Sequence, residues 1–124
     1  MKIGTLKETF EDEQRVALTP ESALQLKKLG HECIIEKGAG LASGFNDAEY
    51  KTAGVAIAPS AAAVTKASDI ITKVRPPTAT EIKRLTTSKT LISFFYPSSN
   101  DELLELGRAR SASIIAMDMV PRIS

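Results

Sequence analysis

Six short apolar runs recur along this chain with helix-forming segments between them, and that alternation constrains the fold more than any other feature. The runs cover residues 2–6, 32–36, 55–58, 69–74, 90–96 and 113–117. Each is too short for a buried helix, and their Ile, Val, Thr and aromatic content suits a strand. Strands joined by a helix-length crossover pair in parallel, which buries both faces of the sheet. A length of 124 residues fits one domain.

Capping chemistry sharpens the helices. Thr19-Pro20 offers an N-cap followed by proline at the first helical position. Ala23, Leu26 and Leu29 recur at a helical spacing, Lys27 and Lys28 suit the negative end, and Gly30 terminates. Asn46 with Glu49 reads as a capping pair for a helix through Ala53, and Ser60 caps an alanine-rich helix to about Ala67. Thr78-x-x-Glu81 and Ser99-x-x-Glu102 are capping boxes, the second opening a segment with Leu103, Leu104 and Leu106. The run 90–96 is the longest β-branched and aromatic run, so it is expected to be a central strand. The predicted fold class is α/β: an open, mainly parallel sheet with helices on both faces, Rossmann- or flavodoxin-like in three layers.

Charge excludes several functions. Sixteen basic and fifteen acidic residues leave a net charge of +1, so no footprint for nucleic acid or an anionic membrane exists. With 5% aromatic residues there are no stacking platforms for single strands either. Cys33 and His31 are the only residues of their types, so no internal disulfide and no Cys/His metal set is possible. Cys33 reads as a small buried hydrophobe. The amino terminus carries no signal-peptide apolar segment, and no run reaches membrane-spanning length.

Few residues point to chemistry. Gly38-x-Gly40-x-x-x-Gly44 follows a strand and invites a dinucleotide reading. Its helix, however, starts at Asn46 after the glycines end, and no acid closes the run 55–58, so a glycine-rich turn is the expectation. Lys73 and Arg75 end a strand before two prolines. They either grip a carboxylate or phosphate or reach solvent. Arg15, beside Glu11 to Glu13, forms a surface ion pair or a ligand contact. Pro121 halts the last strand, which leaves Arg122 just past its carboxyl end, where open α/β sheets bind ligands. His31 follows a helix-ending glycine and reads as a surface or capping residue. No nucleophile–base arrangement and no spaced carboxylate pair suggests acid–base catalysis.

Several stretches together resemble one family. Met1-Lys2-Ile3-Gly4 with Lys7-Glu8, Arg15-Val16-Ala17-Leu18-Thr19-Pro20, Glu36-Lys37-Gly38-Ala39-Gly40 and Ile71-Thr72-Lys73-Val74-Arg75 resemble the N-terminal domain shared by alanine dehydrogenase and the alpha subunit of proton-translocating NAD(P) transhydrogenase. Leu91-Ile92-Ser93-Phe94-Phe95-Tyr96-Pro97 lacks the pyruvate-binding histidine of alanine dehydrogenases. Ala116-Met117-Asp118-Met119-Val120-Pro121-Arg122-Ile123-Ser124 is similar to the transhydrogenase segment that opens its nicotinamide loop. The resemblance spans the whole chain.

It implies that residues 1–124 are an N-terminal domain, with an NAD-binding Rossmann domain after residue 124. Arg122, Ile123 and Ser124 match nucleotide-contacting positions. Arg15 and Lys73 match keto-acid-binding positions of alanine dehydrogenase, which in a transhydrogenase become structural or nucleotide-edge residues. NAD(H) is the implied cofactor of the parent subunit, with NADP(H) on the partner and no metal. The implied partners are the rest of the alpha subunit, a beta subunit and a second copy, with no nucleic acid. The implied location is the cytoplasmic side of the inner membrane, as a peripheral domain. The implied reaction is hydride transfer from NADH to NADP+ coupled to proton movement, with this piece inactive alone. An alanine dehydrogenase domain and a standalone non-catalytic nucleotide-sensing domain are the alternatives.

Overall fold

A computed structural model describes residues 1–85 and 88–93 and the backbone of strand 113–116. The strands are β1 (Lys2–Thr5), β2 (Glu32–Glu36), β3 (Ala56–Ala58), β4 (Ile70–Thr72), β5 (Thr90–Ser93) and β6 (Ser113–Ala116). Among the described residues the helices are α1 (Pro20–Lys28), α2 (Asp47–Thr52), α3 (Ala61–Ala67) and α4 (Ala79–Lys83), with a 3-10 turn at Leu41–Ser43. All six strands are parallel in the order β3-β2-β1-β4-β5-β6. The expected α/β class is what folds.

Alternation along the strands sorts two apolar layers. Cys33, Ile35 and Val55 point to one face, where they meet Ala23 of α1 together with Tyr50 and Ala53. Ala58, Ile71 and Leu91 point to the other, where they meet Val64 of α3 and Leu85. Period-two alternation explains why Ile34 joins the second cluster while its neighbours join the first. Cys33 is buried as expected, and burial pushes its thiol pKa up.

The caps behave as their chemistry requires. The Thr19 hydroxyl accepts the Ser22 N–H, and the Ser22 hydroxyl in turn accepts the Thr19 N–H, so serine replaces the usual glutamate of a capping box. Asn46 with Glu49 and Thr78 with Glu81 form two of the three capping pairs read from the sequence. Helix α1 ends in a Schellman motif: Gly30, at φ +93°, donates to the Lys27 carbonyl and His31 to that of Leu26.

Two expectations shift. Leu29 is 74% exposed rather than packed. Steps of three fall about 60° short of a full turn each, so Leu29 lies about 120° around the axis from buried Ala23. The strand beginning at Thr90 is interior but not central, for the middle pair is β1 and β4. On β5 Leu91 and Ser93 are buried while Thr90 and Ile92 are half-buried, the alternation that β4 shows at Ile71 between Ile70 and Thr72. The segment 94–112, including the expected helix at Ser99, lies outside the described residues.

Candidate functional site

The strand order fixes where a ligand can lie. From β1 the chain steps to β2 and β3, then returns over the opposite face to β4 on the other side of β1. Connections after β1 and β4 therefore leave in opposite directions, opening a crevice at their carboxyl ends. The crevice floor is Thr5 and Thr72, whose hydroxyls meet at 2.8 Å. The rim is built by the connection 6–19 and by residues 73–78.

Three carboxylates organise this rim. Glu8 accepts the N–H of Val74 on one oxygen and that of Arg75 on the other, both at 2.9 Å, tying the two loops together. Glu13 receives the Arg15 guanidinium at 2.8 and 3.0 Å and Nε of Arg75 at 2.8 Å. Glu81, from the first turn of α4, accepts the Lys73 ammonium at 2.9 Å and the Thr78 N–H at 2.7 Å on the same oxygen. The Arg75 guanidinium also lies 4.4 Å from the Phe10 ring centroid, a cation–π contact.

These partners decide the fate of the candidate cations. The Lys73 side chain is 2% exposed and neither reaches solvent nor faces an open crevice. Burying an ammonium is costly without a counter-charge, and Glu81 supplies it. Arg15 forms the ion pair anticipated for it, with its side chain 61% exposed. Glu13 is pushed down from 4.5 to about 2, first by the hydrogen bond from the Arg15 side chain. Arg15, Lys73 and Arg75 thus gather at one sheet edge, each on an internal carboxylate. Arg122, Ile123 and Ser124 lie outside the described residues.

Sequence reasoning passed over Glu8 and Glu81 as rim-builders. The capping box at Thr78 was the one signal for Glu81, because a capping carboxylate has a second lone pair to offer. For Glu8 no local signal exists, since its partners are 66 and 67 residues away.

The glycine motif is a turn, as expected. Gly38 and Gly44 adopt φ of +76° and +87°, and the Gly38 N–H donates to the Asp47 carboxylate rather than facing an open anion site. A Cβ on Gly40 would lie 2.5 Å from the Tyr50 ring, so this glycine serves packing. His31 is half-buried with Nδ1 lacking a partner. Among the described residues no group of three metal-ligating side chains assembles.

Comparison with known proteins decides the relationship. The family described as "Alanine dehydrogenase/PNT, N-terminal domain" matches residues 4–124. The chain belongs to this family. It is 59% identical over all 124 residues to the NAD(P) transhydrogenase subunit alpha of Cereibacter sphaeroides, and covers 24% of that protein. It is 33% identical over 120 residues to the alanine dehydrogenase of Halomonas elongata, covering 97% of this chain and 32% of that one. Among solved structures, a transhydrogenase from Sinorhizobium meliloti superposes with a TM-score of 0.93 at 35% identity, over 100% of this chain and 37% of its own. The chain thus spans about a quarter to two fifths of the length of these relatives. Among the described residues, no helix is long and apolar enough to cross a membrane.

Proposed function

We propose that these residues form the N-terminal part of the NAD(H)-binding alpha subunit of a proton-translocating transhydrogenase, which passes a hydride from NADH to NADP+. The observation that carries this reading is the 59% identity over the whole chain to a transhydrogenase alpha subunit, against 33% to an alanine dehydrogenase. In this reading a Rossmann domain following residue 124 holds most of NAD(H). A beta subunit holds NADP(H), the alpha subunit is paired with a second copy, and the domain lies on the cytoplasmic face of the membrane. Arg122, Ile123 and Ser124 continue along the nucleotide, with Arg122 at its nicotinamide end.

Hydride transfer between two nicotinamides moves two electrons and a proton as one unit, so no protein group needs to donate or accept a proton. The chain's work is positioning and exclusion of water. A crevice edge in which Lys73 is matched by Glu81, and Arg15 and Arg75 are both tied to Glu13, suits that task, because it orders the rim.

The test uses membranes carrying the complete parent protein and its partner subunit. Hydride transfer from NADH to an NADP+ analogue, without pyruvate, is the expected result. NADH oxidation that requires pyruvate and ammonia would replace this reading with alanine dehydrogenase. In the same membranes Arg122→Ala is expected to slow transfer and weaken NADH binding modestly. Unchanged rates would remove Arg122 from the site.

A further inference from the structure

We infer that Glu13 is a positioning residue of the carboxyl-edge crevice, holding Arg15 and Arg75 together so that the connection 6–19 stays latched across the switch point. The inference deepens the proposed function and rests on it, because it assumes that the crevice faces NAD(H). Connections this long without regular structure are uncommon in compact domains unless they bind something. Here the loop is tied down at several points along its length. The Gln14 carbonyl accepts the Ser43 hydroxyl, the Leu18 carbonyl accepts the Tyr50 hydroxyl at 2.7 Å, and Glu8 grips the β4 loop.

Glu13 is the hinge of that arrangement. Its side chain is 4% exposed although Glu11, Asp12 and Gln14 around it are exposed. Two guanidiniums from separate loops converge on it, and without the carboxylate they would repel one another. Asp12 turns the chain inward at φ +66°, closing a turn in which the Glu13 N–H donates to the Phe10 carbonyl. Glu13 therefore sets the spacing of the two arginines and, through Arg75 on Phe10, the height of the rim above the sheet edge.

The experiment compares Glu13→Gln, Glu13→Asp and the exposed control Glu11→Gln in the full-length subunit assembled with its NADP(H)-holding partner. Glu13→Gln is expected to lower turnover at saturating NADH about tenfold while NADH affinity stays within about threefold. Glu13→Asp keeps the charge and is expected to regain most of the loss, and Glu11→Gln to match wild type. Turnover of Glu13→Gln within about twofold of wild type, or no recovery with Asp, would overturn the inference. If the wild-type assembly transfers no hydride, the proposed function fails and the latch is read separately. Phenylglyoxal should then modify Arg15 and Arg75 faster in Glu13→Gln than in wild type, and equal rates would overturn the latch too.

Discussion

The Lys73 ammonium sits 2.9 Å from Oε1 of Glu81, with the lysine side chain sealed almost completely from solvent. The pair joins the end of β4 to the first turn of α4, so one interaction sets both a strand exit and a helix entry. Burial of this kind makes the two charges mutually dependent. Removing one strands the other in a medium that solvates it poorly.

Lys73→Met is accordingly expected to destabilise the parent protein by about 3 kcal/mol, and Glu81→Gln by a comparable amount. The double variant should lose clearly less than the sum, because neither charge is then left alone. Urea unfolding of the four proteins gives the coupling directly. Additive losses would mean that the two side chains do not depend on each other.

Glu13 gives a pH signature. Its folded-state pKa lies at about 2, below the ordinary 4.5, because the arginines favour the carboxylate. A depressed carboxyl pKa contributes stability above the unfolded value, and that contribution disappears as pH falls through the folded one. Stability should therefore drop between about pH 4.5 and 2, and Glu13→Gln should flatten that part of the profile. A profile in the variant as steep as in wild type would place the acid sensitivity elsewhere.

Tyr50 carries the opposite sign at the alkaline end. Burial raises its phenol to about 12, and its hydroxyl donates to the Leu18 carbonyl. A raised pKa contributes stability below the unfolded value near 10 and loses it as pH rises towards 12. The phenolate absorbance lost in Tyr50→Phe should belong to a group that titrates only as the protein unfolds. Removing a buried hydroxyl that leaves Leu18 unpartnered is expected to cost about 1–2 kcal/mol at neutral pH.

Gly4 tests the packing of α3 on the sheet. A Cβ there would come within 2.0 Å of the Ser68 hydroxyl oxygen and 2.7 Å of a Val64 methyl. Gly4→Ala is expected to cost about 2–3 kcal/mol by forcing the helix outward. Gly4→Ala combined with Ser68→Ala should recover part of it, measured by thermal unfolding. Gly4→Ala without loss of stability would mean that α3 rides higher on β1 than these distances imply.

Sequence by itself determined the class of this domain. The apolar run in 32–36 and capping chemistry at Thr19, Asn46, Ser60 and Thr78 are local, and each places an element within a few residues of where it folds. The turn character of Gly38 and Gly44 was equally legible, because a left-handed φ is a local demand. The Arg15–Glu13 pair was legible too, its partners being two residues apart.

Only the tertiary structure decided the rest. Strand order depends on which apolar faces meet, so neither the middle position of β1 and β4 nor the crevice between them is written in any one stretch. The same holds for Glu8, which reaches the β4 loop across 66 residues, and for Arg75, which joins Glu13 across 62. Lys73 shows the physical reason. Its chemistry as a cation is fixed by the residue type, but whether it meets a ligand, water or Glu81 is set by what the fold packs over it. The fold packs Glu81 against it and seals it from solvent.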